Sequence, residues 1–409
     1  MTSSRATRGA FIEPGVLASQ GWRLLVAGVR RKIVGHQRYA GSAEEICEQI
    51  VRRCLDPTRR FFRTSPTSYP ELWARDFGRC VPALLALGFE QEVGDTYRYA
   101  LGRYVAAGHF ALVITPRGQL FDFPAYAPDG FAFFVHGLAK LGDRALVARH
   151  RSFFEHEIER FAALVIDSRS GLVRRGVLFS EAQDYAIRDS SCYSNCACHL
   201  LQRSLDALAL PNPLAGYDYC SLILEHFWDG DHFVDDQSQP SYPSGDAQIL
   251  PFWTGLLGRD RPARVRFEGV LRWMDNQGLN RPVPCRYGVS AHPRRRMHRL
   301  HWLNPWQSDA AWPCLGLHLL EVLRNFDHPR LSAELERYRA LVERLGCFPE
   351  VLDCRDAELY QGPLVMAEDS MLWAANLWSL LREAGSAPAA RQSHERSTSS
   401  ESAGPETSP

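Results

Sequence analysis

Residues 68 to 80 read SYPELWARDFGRC, which sets Trp73, Arg75 and Asp76 within four positions, ahead of an apolar run that begins at Val81. A large aromatic, a fixed cation and a carboxylate at the mouth of a helix pose a choice between a binding site and an ordinary helix start. A carboxylate near a helix N-terminus suits the dipole, and surface ion pairs are common. Three other groupings could do chemistry. Cys192, Cys196, Cys198 and His199 in SCYSNCACHL invite a metal reading, but they lack paired CxxC spacing and a second ligand cluster, so they read as buried helix residues. The segment HPRRRMHRLHW gathers Arg294, Arg295, Arg296, His298, Arg299 and His301, either a solvated loop or a receptor for a carboxylate or phosphate. Trp228-Asp229-Gly230 reads as a tight turn. No Walker loop, dinucleotide fingerprint or G-x-S-x-G is present.

The elements that must position these residues are mostly helical. Ser42 with Glu45 makes a capping box, and Ile46, Ile50, Val51, Cys54 and Leu55 mark one apolar face before Pro57 ends the helix. The same period runs through Phe153 to Val165, Tyr193 to Leu208, and Leu331 to Leu345 with Gly346 as C-cap. A last helix is expected from about Met371 to Leu381. Between them lie the loops TSPTSYPELWARD, FDFPAYAPDG, GVLFSEAQDYAIRDSS, FWDGDHFVDDQSQPSYPSGD, RLHWLNPWQSD and FPEVLDCRDAELYQG. Ordinary connectors are short, so long aromatic loops recurring between helix pairs point to one functional face. ALVIT and QLFDF, around Pro116-Arg117-Gly118, read as a hairpin on that face.

The 45% hydrophobic content supports a real core, and 47 basic against 47 acidic residues leave no whole-chain field for nucleic acid or an anionic membrane. The expected partner is a small molecule neutral overall, with no nucleic acid, no membrane and an oligomeric state left open. Glu13, Pro14 and Arg23 break the N-terminal apolar stretches, and the eleven cysteines read as reduced thiols, so a cytoplasmic location is expected. From about Ala384 the chain has almost no large apolar side chains and reads as a disordered tail. No composition break divides residues 40 to 383, which is long for one compact core; a closed ring of helical hairpins reconciles the two. The expected organisation is an N-terminal extension over 1–39, one all-α ring of helical hairpins over 40–383 with short β-hairpins in the loops of one face, and a tail over 384–409.

The series WARDFGRCVPALLALG, APDGFAFFVHGLAKLGD, SEAQDYAIRDSSCYSN, WDGDHFVDD, NPWQSDAAWPCLGLHLL, and FPEVLD followed by MAEDSMLWAANLW resembles the six-hairpin (α/α)6-barrel glycosidases. These include glucosidase I and mannosylglycerate hydrolase relatives, neutral invertases and amylo-α-1,6-glucosidase domains. The resemblance implies an inverting mechanism, in which one carboxylic acid protonates the leaving oxygen and a carboxylate across the sugar activates water. On that resemblance the base is Glu350, which is followed by Gly362 and Trp373 in the family's order. The acid is Asp184, in a loop before a helix that starts near Tyr193 and Asn195. Asp189 is the rival acid, although Arg188-Asp189-Ser190-Ser191 is also a good N-cap cluster. Aromatic faces stack on pyranose C–H faces, and carboxylate, amide or guanidinium groups bond paired hydroxyls; Trp73, Arg75, Asp76, Asp129, Tyr185, Trp302, Trp306 and Gln307 lie on the loops in question.

The resemblance implies an all-α (α/α)6 toroid over 40–383 that hydrolyses an α-glucoside or α-mannoside, with a small carbohydrate (an oligosaccharide or a glycosylglycerate-like glycoside) as its partner and with no cofactor and no metal. Two alternatives remain at this point. A sugar 2-epimerase uses a similar toroid with histidines in its cavity, for which His109, His136, His199 and His301 are available. A carbohydrate-binding protein would retain the toroid without turnover.

Overall fold

In the computed structural model, the described residues are 14–238, 242, 244–288, 306, 310–362 and 366–386. The segment HPRRRMHRLHW lies outside them, as do Trp302, Gln307, His301 and the tail beyond 386.

Helix α1 (Pro14–Val34) precedes the body of the fold. Thereafter the chain alternates between an outer and an inner layer. The inner helices are α3 (Ala74–Ala86), α5 (Pro128–Leu141), α8 (Cys192–Ala207), α10 (Gly245–Trp253), α12 (Pro313–Asn325) and α14 (Ala374–Ser386). Each packs on the next, and α14 returns to α3, closing a ring of six. Around it run α2 (Ala43–Cys54), α4 (Glu90–Ala107), α6 (Arg144–Arg149), α7 (Arg151–Val165), α9 (Tyr219–Phe227), α11 (Arg261–Asn276) and α13 (Arg330–Leu345). This is the expected all-α (α/α)6 toroid.

Local chemistry explains the boundaries. The capping box forms as read: the Glu45 N–H donates to Ser42 Oγ and the Ser42 N–H to Glu45 Oε2. Gly346 ends α13 at φ 62°, where a side chain would be strained. The last helix is displaced from the expected span, because Met371 to Trp373 form a turn that feeds α14.

The ring is tightest between α3 and α5. A Cβ on Gly78 would lie 2.1 Å from the Phe133 carbonyl oxygen, and one on Gly137 would lie 2.4 Å from the Tyr97 hydroxyl. Only a bare backbone permits that approach. The expected hairpin is present as β2 (Val113–Ile114) and β3 (Leu120–Phe121) in antiparallel register, and β1 (Leu72–Trp73) adds a third strand beside β2. That third strand was not legible in the sequence, since its two residues make ladder contacts only with a distant segment. Cys192, Cys196 and Cys198 are buried in α8. Among the described residues no helix is long and apolar enough to cross a membrane.

Candidate active site

One end of the ring opens into a cavity of about 410 Å³. Its wall includes Trp73, Arg75 and Asp76 from the first long loop and the start of α3, Phe121 and Phe123 from the second loop, and Asp184 and Tyr185 from the third. Trp306 and Glu350 enter from the fifth and sixth. Residues of five of the six long aromatic loops thus line one cavity. The loops carrying Asp184 and Glu350 lead into α8 and α14, which stand three places apart in the ring of six and so face each other across the opening.

Glu350 is 6% exposed and both its oxygens are engaged. The Tyr69 hydroxyl donates to Oε1 at 2.8 Å and the Glu368 N–H donates to Oε2 at 3.2 Å. Burial pushes the Glu350 carboxyl up to about 7, against the pull of those two donors, while the Glu368 charge adds to the rise. Asp184 keeps 17% of its side chain exposed. Its Oδ1 lies 3.4 Å from Arg75 Nη1 and accepts from the Ser180 hydroxyl at 3.2 Å. Burial pushes Asp184 up to about 6; Arg75 opposes this, and the charges of Asp129 and Asp76 reinforce it. The pocket thus holds two carboxyl groups that change protonation near neutral pH, the property acid/base catalysis needs.

The loop bearing Asp184 is fixed by a buried arginine. Arg188 meets Glu181 at 2.7 Å, Asp246 at 2.9 Å and Asp235 at 3.0 Å. Asp235 and Asp246 belong to the fourth aromatic loop and its helix start, and the described residues of that loop act through Arg188 and do not line the pocket. Asp189, the rival acid, is not on the cavity wall: it pairs with Arg175 at 2.9 Å and accepts the Gly176 N–H at 2.7 Å. Ser191 is the N-cap of α8, accepting from the Ser194 N–H.

Other expected site residues divide. Trp73, Arg75, Asp76, Tyr185 and Trp306 line the cavity. Asp129 does not. It is fully buried behind Arg75, whose Nε lies 2.6 Å from Asp129 Oδ2, and the Tyr193 hydroxyl donates to the same oxygen at 2.9 Å. Its carboxylate braces the arginine instead of meeting a ligand. Asp76 accepts the Trp373 indole N–H at 2.7 Å, and burial raises its carboxyl above the usual range.

Sequence reasoning missed Tyr69, Arg79, Tyr287, Trp312 and His318 as wall residues. Tyr69 was within reach, one residue into the quoted stretch; His318 lies mid-helix in an apolar stretch with no local mark. Of the histidines weighed for isomerase chemistry, His109, His136 and His199 are not on the wall, and His318 is the histidine that is, among the described residues.

No protein-family profile and no curated protein matches the chain. Solved structures do match it in fold. A rhamnosidase from Klebsiella oxytoca with rhamnose bound superposes at a TM-score of 0.59 with 15% identity, over 85% of this chain and 66% of that one. The GH63 mannosylglycerate hydrolase from Thermus thermophilus in complex with glucose gives 0.55 and 14%, over 84% of this chain and all of that one. The GH78 rhamnosidase of Bacillus sp. GL1 also gives 0.55 and 14%, but the chain spans only 34% of it. At such identity the likeness is one of fold, and the fold is that of the helical-toroid glycosidases.

Proposed function

We propose that the chain is a glycoside hydrolase that cleaves an α-linked glucoside or mannoside with inversion of configuration. The observation that carries this reading is the pair of titratable carboxyl groups, Asp184 and Glu350, entering one aromatic-walled cavity from opposite loops. In the proposed reaction Asp184 gives its proton to the glycosidic oxygen as the bond to the anomeric carbon breaks. Ionised Glu350 takes a proton from the water that attacks the opposite face. Tyr69 and the Glu368 N–H favour the ionised form of Glu350, as a base requires. Trp73, Tyr185 and Trp306 supply faces for the sugar ring, and Arg75 and Asp76 supply hydrogen bonds to hydroxyls.

One observation favours a second reading with the roles exchanged: Glu350 titrates at about 7 and Asp184 at about 6, the reverse of an acid above its base. A glycosyl fluoride separates the two, because its leaving group needs no proton. The variant of the acid keeps activity on the fluoride and the variant of the base does not.

The test is anomer-resolved proton NMR on α-glucosides, α-mannosides, α-rhamnosides and glycosylglycerates, with wild type, Asp184→Asn and Glu350→Gln. Inverted product from the wild type alone is the expected result, and retained product contradicts the mechanism. Sugar-dependent thermal stabilisation that persists in Glu350→Gln without product from any protein supports a binding role instead.

A further inference from the structure

Helix α1 lies outside the paired helices of the ring, yet Gly21, Arg23 and Leu24 reach the cavity wall. One turn before its end is Arg31, only 6% exposed. Its guanidinium donates to Thr67 Oγ1 and Ser68 Oγ, each at 2.7 Å, and to Glu368 Oε2 at 2.5 Å. It also reaches the Met366 carbonyl at 3.2 Å and lies 3.5 Å from Asp369 Oδ2. One cation thus ties the 67–68 segment to the 366–369 segment. Those segments carry the two donors to Glu350: Tyr69 follows Ser68 directly, and the other donor is the Glu368 N–H. Two further bonds complete the bracket. The Glu350 N–H donates to the Glu368 carbonyl at 2.8 Å, and the Ser68 N–H donates to Glu368 Oε2 at 2.6 Å.

We propose that Arg31 is a positioning residue for Glu350, clamping from the N-terminal helix the two segments whose donors hold that carboxylate. The inference rests on the reading of Glu350 as a functional group of the site. Arg31 also pairs with the buried carboxylate of Glu368, so that its cation opposes the charge by which Glu368 raises Glu350. Other titratable or charged groups near Glu350 are Tyr69, which bonds it, Cys314 at the start of α12, and Asp76 and Arg79 of the adjoining α3, with Arg23, Arg75, Asp184 and His318 on the same cavity wall. Arg31 bonds both segments at once, through Thr67 and Ser68 on one side and Glu368 on the other.

The test follows Glu350 directly by carbon-13 NMR of carboxyl-labelled glutamate, with its resonance assigned through Glu350→Gln. In Arg31→Ala the titration of Glu350 moves up by about one pH unit, since a cation is lost and Glu368 is left unneutralised. In Glu368→Gln it moves down, and in the double variant it returns towards the wild type. Arg31→Lys keeps the charge and stays close to the wild-type midpoint. The acid limb of kcat/KM follows the same order, about tenfold lower activity below the limb for a shift of one unit. A merely structural arginine would not produce shifts of opposite sign. An unmoved Glu350 in folded Arg31→Ala overturns the proposal; should that variant not fold, an unmoved Glu350 in Glu368→Gln overturns it. Because the titration needs no substrate, it stands apart from the hydrolase reading, whose failure appears as absent or retained product in the wild type.

Discussion

Replacing Glu350 with Gln should make the protein more stable at alkaline pH while leaving it nearly unchanged at acid pH. Glu350 titrates ordinarily at 4.5 and in the fold at about 7. The folded chain therefore holds this proton more tightly than the unfolded chain. The stability that this confers is fully present below pH 4.5 and is lost as pH rises through about 7. At about 1.4 kcal/mol per pH unit, the loss is about 3 kcal/mol by pH 8.5. With about 2.1 cal/mol/K of unfolding entropy per residue over roughly 350 residues, that is about 4 °C in Tm. Gln fits the same partners: its carbonyl can accept the Glu368 N–H and its amide can donate to the Tyr69 oxygen, which are the positions Glu350 now uses. Thermal unfolding of wild type and Glu350→Gln at pH 4.5 and pH 8.5 reads the difference. The variant should melt about 4 °C higher than the wild type at pH 8.5 and within a degree or so of it at pH 4.5. An equal gap at both values, or a less stable variant at pH 8.5, would refute the claim that the fold holds this carboxyl against its ionisation.

Three further outcomes follow from the same geometry. Arg75→Ala leaves Asp129 fully buried without its cation, so unfolding measurements should record a loss of about 3–5 kcal/mol, larger than for an exposed pair. Asp76→Ala removes the acceptor of the buried Trp373 indole N–H; a loss of about 1–3 kcal/mol by denaturant titration should accompany a raised KM, and an unchanged KM would remove Asp76 from the binding site. Gly78→Ala places a Cβ 2.1 Å from the Phe133 carbonyl oxygen, and circular dichroism should show either failure to fold or a Tm lowered by several degrees.

The sequence was most legible where structure depends on near neighbours. The Ser42–Glu45 box and the Gly346 stop located helix ends within a residue or two, because each signal acts within a turn of chain, whereas apolar spacing without such a cap set the last helix three residues early at its start. Loop composition marked the end of the barrel that opens, since aromatic loops without a packing partner in sequence must find one in space. What lay beyond reach were pairings between remote segments. Asp129 and Asp76 both sit in the first turn of an inner helix, yet only the close approach of α3 and α5 through Gly78 and Gly137 sets Asp129 behind Arg75 to brace it. Arg188 likewise looks like part of a capping cluster until Asp235 and Asp246 close around it.

By itself, then, the sequence determined the helical periods and the long aromatic loops between them. The tertiary structure alone decided which charges meet. Arg75 reaches Asp184 across 109 residues, and Arg31 reaches Glu368 across 337. Helix propensity is set by interactions within a few residues, whereas an ion pair depends on where the closed ring brings its two ends, and no local pattern encodes that meeting.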